Sequence, residues 1–191
     1  MTKSEIPYDS EQFVLSQLLV APLLQFKEDI EDITDSADKQ LKLQKQLDED
    51  ISAYWEKAEL EIKNWKGVDV PCTIGGNIQD IQEKLEEHIM QLNQMNAMRY
   101  VTPFKSIVVE KMSLLGDVND IIEKWLKVQN LWTNLVSVFT SGDISKQMPT
   151  MSKKFKGIDK QWLKIMERAA EQKNVIGCCT NDILKNSLGT L

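Results

Sequence analysis

Val118-Asn-Asp-Ile-Ile-Glu-Lys-Trp-Leu-Lys-Val-Gln-Asn-Leu-Trp132 decides the fold class. Val118, Ile121, Ile122, Trp125, Val128, Leu131 and Trp132 return at steps of three and four, and Leu135 and Phe139 continue the series. That spacing stacks side chains on one face of a helix, and here it gives the most apolar helix of the chain. Upstream, Thr102-Pro103 predicts a helix start, with a hydroxyl for the open amides and a proline whose fixed φ suits the first turn. Phe104, Ile107, Val108, Met112 and Leu115 form the buried stripe of that helix, and Gly116-Asp117 reads as a break before Val118. Downstream, Ser141-Gly142-Asp143 predicts the stop. Pro149-Thr150 leads into a further helix through Phe155, Ile158, Trp162, Ile165, Met166 and Ala169, and Gly177 separates a last short one through Leu184 and Leu188.

The N-terminal half repeats the pattern. Phe13, Val14, Leu15, Leu18 and Leu19 suggest a short helix broken at Pro22. Phe26, Ile30, Ile33 and Ala37, then Leu43, Leu47, Ile51, Tyr54, Ala58, Ile62 and Trp65, predict one long amphipathic helix. About forty residues at 1.5 Å each span roughly 60 Å, so the sequence predicts an elongated shape. Gly67 reads as its stop. Residues 68–77, with Val68, Val70, Pro71, Ile74 and Gly75-Gly76, predict a hairpin-like excursion. Ile78, Ile81, Leu85, Ile89, Leu92 and Met95 then give a second helix antiparallel to the first. The expected class is all-α, an elongated helical bundle. Its parts are a flexible arm over 1–10 (or a leftover of expression), a long helical hairpin over 11–98 and a compact helical subdomain over 99–191.

Composition narrows the function. In 191 residues, 42% are hydrophobic and 27% charged, enough apolar content for a packed core. Against 29 Asp and Glu stand 23 Lys and Arg, a net charge of −6, which argues against a general nucleic-acid binder. Three cysteines, two of them adjacent, make no disulfide framework, no signal peptide opens the chain, and no apolar stretch approaches the ~20 residues that span a bilayer. The sequence therefore reads as intracellular, with no membrane partner.

Few residues offer chemistry. Cys72, Cys178, Cys179 and His88 are the only soft ligands, and vicinal cysteines cannot both enter one tetrahedral site as a C-x-x-C pair can, so no metal site is expected. His88, between Glu87 and Ile89, is expected to border the solvent face. Gly75-Gly76 lacks both G-x-G-x-x-G and a following Gly-Lys-Ser/Thr, which leaves no phosphate cradle. Asp48-Glu49-Asp50 and Glu86-Glu87 read as solvated helix faces. Lys153, Lys154, Lys156, Lys160 and Lys164 interleave with Phe155 and Trp162. They form either a groove for an anionic partner or the outer face of a helix whose aromatics are buried, the second being the favoured reading. Trp125, Trp132, Phe139, Phe155, Trp162 and Met166 are the predicted core anchors. No catalytic residue and no cofactor are expected.

Ile122-Glu-Lys-Trp-Leu-Lys-Val-Gln-Asn-Leu-Trp132, followed by Leu135, Phe139, Gly142-Asp-Ile144, Gln147-Met-Pro149, Lys154-Phe155, Ile158-Asp-Lys160, Trp162 and Ile165-Met166, resembles the second N-terminal region of dynein heavy chains. The resemblance covers about Glu11 to Leu191. Ile158-Asp-Lys-Gln-Trp-Leu-Lys-Ile-Met-Glu-Arg-Ala169 with Asn174-Val-Ile-Gly-Cys-Cys179 looks most like the gamma-type heavy chains of the axonemal outer arm. Thr133, Asn134, Val136, Ser137 and Met112 depart from the family pattern. The resemblance implies a tail or linker piece of a microtubule motor, non-catalytic itself, that passes the ATP-driven motion of a ring encoded elsewhere to the tail. It implies the motor ring of the same heavy chain and other dynein subunits as partners, and a place in the cytoplasm, the cytoskeleton and the axoneme of a cilium or flagellum. The alternatives are a generic helical adaptor or coiled-coil interaction module, weakened by polar Gln40, Lys42, Gln44 and Lys45 in the seam, and a small enzyme on a helical scaffold.

Overall fold

The computed structural model describes Val14, Ser16 and residues 23–66, 68–140 and 146–190. The chain divides into two compact units, Met1–Leu43 and Gln44–Leu191. The fold is all-α, with one small two-stranded sheet. The helix expected over Glu11–Val20, its break at Pro22, the stop at Gly67 and the stop at Ser141-Gly142-Asp143 lie outside the described residues.

In the first unit a 3-10 turn, Leu23–Phe26, leads into helix α1, Lys27–Lys45, most of which belongs to this unit. Glu28 and Asp29 in its first turn favour the positive end of the helix dipole. Lys27–Glu31 and Lys39–Asp35 are exposed i,i+4 pairs that add a few tenths of a kcal/mol each. Phe26, Ile30, Ile33 and Ala37, expected as a buried stripe, are exposed. Among the described residues of this unit no second element packs on them.

The second unit begins with a π-helical stretch, Gln46–Ser52, that runs into α2, Ala53–Lys57. The π turn inserts an extra residue and shifts the phase of everything after it. Leu47, Ile51 and Trp55 are therefore buried, whereas Tyr54, expected on the stripe, is half-buried. The expected helix to Trp65 also ends eight residues early. Ala58 is extended, the Leu60 amide donates to the Lys173 carbonyl at 2.8 Å, and the Val175 amide donates to that of Ala58 at 2.9 Å. Strand β1, Ile62–Asn64, then pairs antiparallel with β2, Pro71–Ile74, with Ile62 opposite Ile74 and Lys63 opposite Thr73. The excursion thus starts earlier than 68.

Helix α3, Ile78–Ala97, buries Ile81, Leu85, His88, Leu92 and Met95. A 3-10 turn, Arg99–Phe104, joins it to α4, Lys105–Phe139, against which it packs. The start expected at Thr102-Pro103 falls inside that turn: Thr102 donates to the Arg99 carbonyl at 2.9 Å and caps nothing in α4. Gly116 does not break α4. A mid-helix glycine costs about 1 kcal/mol relative to alanine, less than the burial of flanking Leu115 and Val118 contributes. Helix α5, Pro149–Gln172, carries proline at its first position, followed by α6, Val175–Thr180, and α7, Asp182–Thr190. Gly177 lies inside α6. The chain turns instead at Lys173, whose φ of 55° is the only positive value among described non-glycine residues, and at Asn181.

Candidate functional site

Two junctions hold the second unit together. The first gathers α4, α5 and the hairpin around tryptophan. Steps of seven put Trp125 and Trp132 on one face of α4, and Trp162 faces them from α5. All three are fully buried, and each indole N–H has an acceptor. That of Trp125 meets Met166 Sδ at 3.3 Å, that of Trp132 donates to Asp159 Oδ1 at 2.9 Å, and that of Trp162 donates to the Cys72 carbonyl of β2 at 3.0 Å. The Trp132 and Trp162 rings lie 5.7 Å apart, and Phe139, half-buried, stacks on buried Phe155 at 5.0 Å. Met166 is fully buried. Gln129 of α4 holds the same strand two residues further on, at Ile74. It accepts from the Ile74 amide at 2.7 Å and donates to the Ile74 carbonyl at 3.3 Å.

The second junction is built on Asn174. Its Oδ1 accepts from the Gly177 amide at 2.9 Å and caps α6. Its Nδ2 donates to the carbonyls of Trp55, Glu56 and Ala58 at 3.1–3.2 Å at the end of α2, the last of which also accepts from the Val175 amide. One side chain thus caps two helices at once. Beside it, Ile51, Trp55, Leu115 and Ile176 line a cleft of about 300 Å³ with Lys111 and Glu56 at its polar rim.

His88 is buried, a correction to its expected place at the solvent face. It lies three residues after Leu85 and four before Leu92, on the apolar stripe itself. Its Nδ1 accepts from Trp55 Nε1 at 3.0 Å, and the rings meet edge to face. Burial lowers its pKa below the usual histidine value, against the raising pull of Glu87 and Asp50. Cys72, Cys178 and Cys179 are buried thiols, and burial pushes Cys178 to about 11 and Cys179 to about 12, which makes them poor nucleophiles. No group of three metal-ligating side chains occurs among the described residues. Asp48, Glu49 and Asp50 are exposed. Gly75 packs on the hairpin: its amide donates to the Glu61 carbonyl, and a Cβ there would stand 3.0 Å from that oxygen. Lys153, Lys154, Lys156, Lys160 and Lys164 line the exposed face of α5, with Phe155 and Trp162 turned inward. The arrangement offers packing and hydrogen-bonded ties.

Asn174, Gln129 and Asp159 stand inside the stretches that carry the family resemblance, but the sequence assigns none of them a hydrogen-bond partner. Asn174 directly before Val175-Ile176-Gly177 has the look of a helix cap, the one signal that could have found it. No helix among the described residues is long and apolar enough to cross a membrane.

Comparison with known proteins agrees with the family resemblance carried by Ile122–Trp132 and the stretches after it. The family model described as dynein heavy chain, N-terminal region 2, matches residues 1–191. Human dynein axonemal heavy chain 8 is 40% identical over 182 residues, 95% of this chain and 4% of that protein. Mouse dynein axonemal heavy chain 5 is 37% identical over the same length, again 95% of this chain and 4% of the relative. The dynein gamma chain of the flagellar outer arm of Chlamydomonas reinhardtii is 36% identical over 189 residues, 98% of this chain and 4% of that protein. The chain thus spans a small fraction of the length of these relatives.

Proposed function

Because the chain belongs to the dynein heavy chain N-terminal region 2 family, we propose that it is a non-catalytic mechanical segment of such a motor. In this reading it carries the ATP-driven change of a motor ring, encoded elsewhere in the same heavy chain, toward the tail during microtubule-based movement. Its partners are that ring and other dynein subunits, and its place is the axoneme of a cilium or flagellum, as the names of its relatives suggest.

The observation that supports this most is the long-range tying of the second unit. Asn174 holds the end of α2 from 116 to 119 residues away, and Trp162 holds β2 from 90 residues away. A body so cross-tied moves as a whole under load, because packed interiors transmit displacement and do not absorb it. Each tie ends on backbone carbonyls, so it fixes the path of the chain and not merely side-chain positions.

The test uses the whole heavy chain with Asn174→Ala or Trp132→Ala in this segment. Expected are slowed microtubule gliding and retained ATP turnover. Equal loss of both, or full-speed gliding by variants shown to be destabilised, would overturn the mechanical reading.

A further inference from the structure

The exposed face of α5 plays no part in either junction. Lys153, Lys156, Lys160 and Lys164 recur there at steps of three and four, a straight stripe about 16 Å long at 1.5 Å per residue. None of the four is ion-paired among the described residues, although the chain as a whole carries net charge −6. Beside the stripe runs a groove of about 440 Å³ between α5 and the start of β2, lined by Val70, Pro71, Lys160, Leu163, Lys164 and Glu167. Val70 is 47% exposed. Gly157 lies in the same arc, and a Cβ there would meet nothing within 4 Å. A bare glycine in mid-helix serves no packing within this unit, and it lets a neighbouring backbone come close.

We propose that this face of α5 is a docking surface for an acidic amphipathic helix. A helix laid along the stripe sets its carboxylates against the lysines over three turns, passes closest at Gly157, and lowers an aliphatic side chain between Val70, Pro71 and Leu163. Charge selects the partner and steers its approach, while the apolar groove fixes its register. Glu167 closes one end and repels a carboxylate there, which gives the bound helix a direction. Nucleic acid fits less well: Phe155 and Trp162 are buried, so no aromatic is available for base stacking, and Glu167 opposes a phosphate. This inference goes beyond the mechanical reading and does not depend on it.

The test is fluorescence anisotropy of the 191-residue chain with a labelled helical peptide of about 18 residues that carries leucines at i, i+4 and i+7 and glutamates beside them. A twin peptide with lysines for the glutamates and a DNA duplex serve as comparisons. Saturable binding of the acidic peptide is expected, weakened about tenfold or more by Lys160→Glu with Lys164→Glu and by Gly157→Gln. Val70→Asp should weaken it as well, with the helical circular dichroism of each variant unchanged. Lys124→Glu with Lys127→Glu on α4 should leave binding as it was. Equal binding of the twin peptide, equal loss with the α4 pair, or indifference to Val70→Asp overturns the proposal. Tighter saturable binding of the DNA duplex would overturn it in favour of a polyanion surface.

Discussion

Replacing Trp132 by alanine removes the central ring of the tryptophan junction. The side chain is 1% exposed, so nearly its whole surface leaves water on folding. An aromatic of this kind buries about 150–250 Å², worth about 4–6 kcal/mol at 25 cal/mol per Å². Compactness of the unfolded chain and the methyl that alanine retains reduce this to about 3–5 kcal/mol, the usual range for a large aromatic in a core. The lost bond to Asp159 adds little, because that carboxylate is half-buried and regains water. Urea unfolding measures it: with a slope near 2 kcal/mol per M, the midpoint falls by about 2 M. Trp132→Phe keeps a ring and loses the N–H, and should cost about 1–2 kcal/mol. Lys156→Ala on the opposite face should stay within ~0.5 kcal/mol. A Trp132→Ala protein within ~1 kcal/mol of the parent, at unchanged slope, would refute the packing argument and mark this ring as a surface for something else.

Asn174→Ala takes its partner from the carbonyls of Trp55 and Glu56 and from the Gly177 amide, while the Ala58 carbonyl keeps the Val175 amide. It should cost about 2–3 kcal/mol in the same melts, whereas Asn174→Ser, which keeps the cap on α6, should recover about 1 kcal/mol of that. His88 is the only histidine, and its folded-state pKa lies below 6.5, so the unfolded chain binds the proton first. Its contribution to stability is present in full above about pH 6.5 and is lost as the pH falls from there through the folded value; His88→Gln should flatten that part of the stability profile. Gly116→Ala should raise the unfolding free energy by up to about 1 kcal/mol, since its Cβ meets nothing, whereas Gly75→Ala should lower it by pressing on the Glu61 carbonyl.

Helices with strong periodicity were legible because burial and period coincide there. Ile81, Leu85, Leu92 and Met95 on α3, and Trp125 and Trp132 on α4, stand where step counting puts them. Counting failed where another force set the phase or the end. The π turn at Gln46–Ser52 exchanged Tyr54 for Trp55, and no composition signal announces an extra residue in a helical turn. Glu59–Asn64 keeps a helical pattern, yet pairing with β2 and with Lys173–Val175 gives its backbone other partners. Glycine is weak punctuation in this chain: Gly116 and Gly177 sit inside helices, and a lysine makes the turn before α6. The neighbours Glu87 and Ile89 point His88 to the solvent face, whereas its phase with Leu85 and Leu92 buries it. The ties of Asn174 and Gln129 were out of reach, since a polar side chain carries no periodicity that names a partner 55 or 119 residues away.

The reach of Asn174 also sets a schedule for synthesis. Trp55 leaves the ribosome 119 residues before the amide that caps its carbonyl. At about 5–20 residues per second that interval is roughly 6–24 s. Through all of it the end of α2 has only water or a chaperone for its open acceptors, so the helix end frays and re-forms until α6 emerges. A pause in translation between Trp55 and Asn174 would lengthen this vulnerable period.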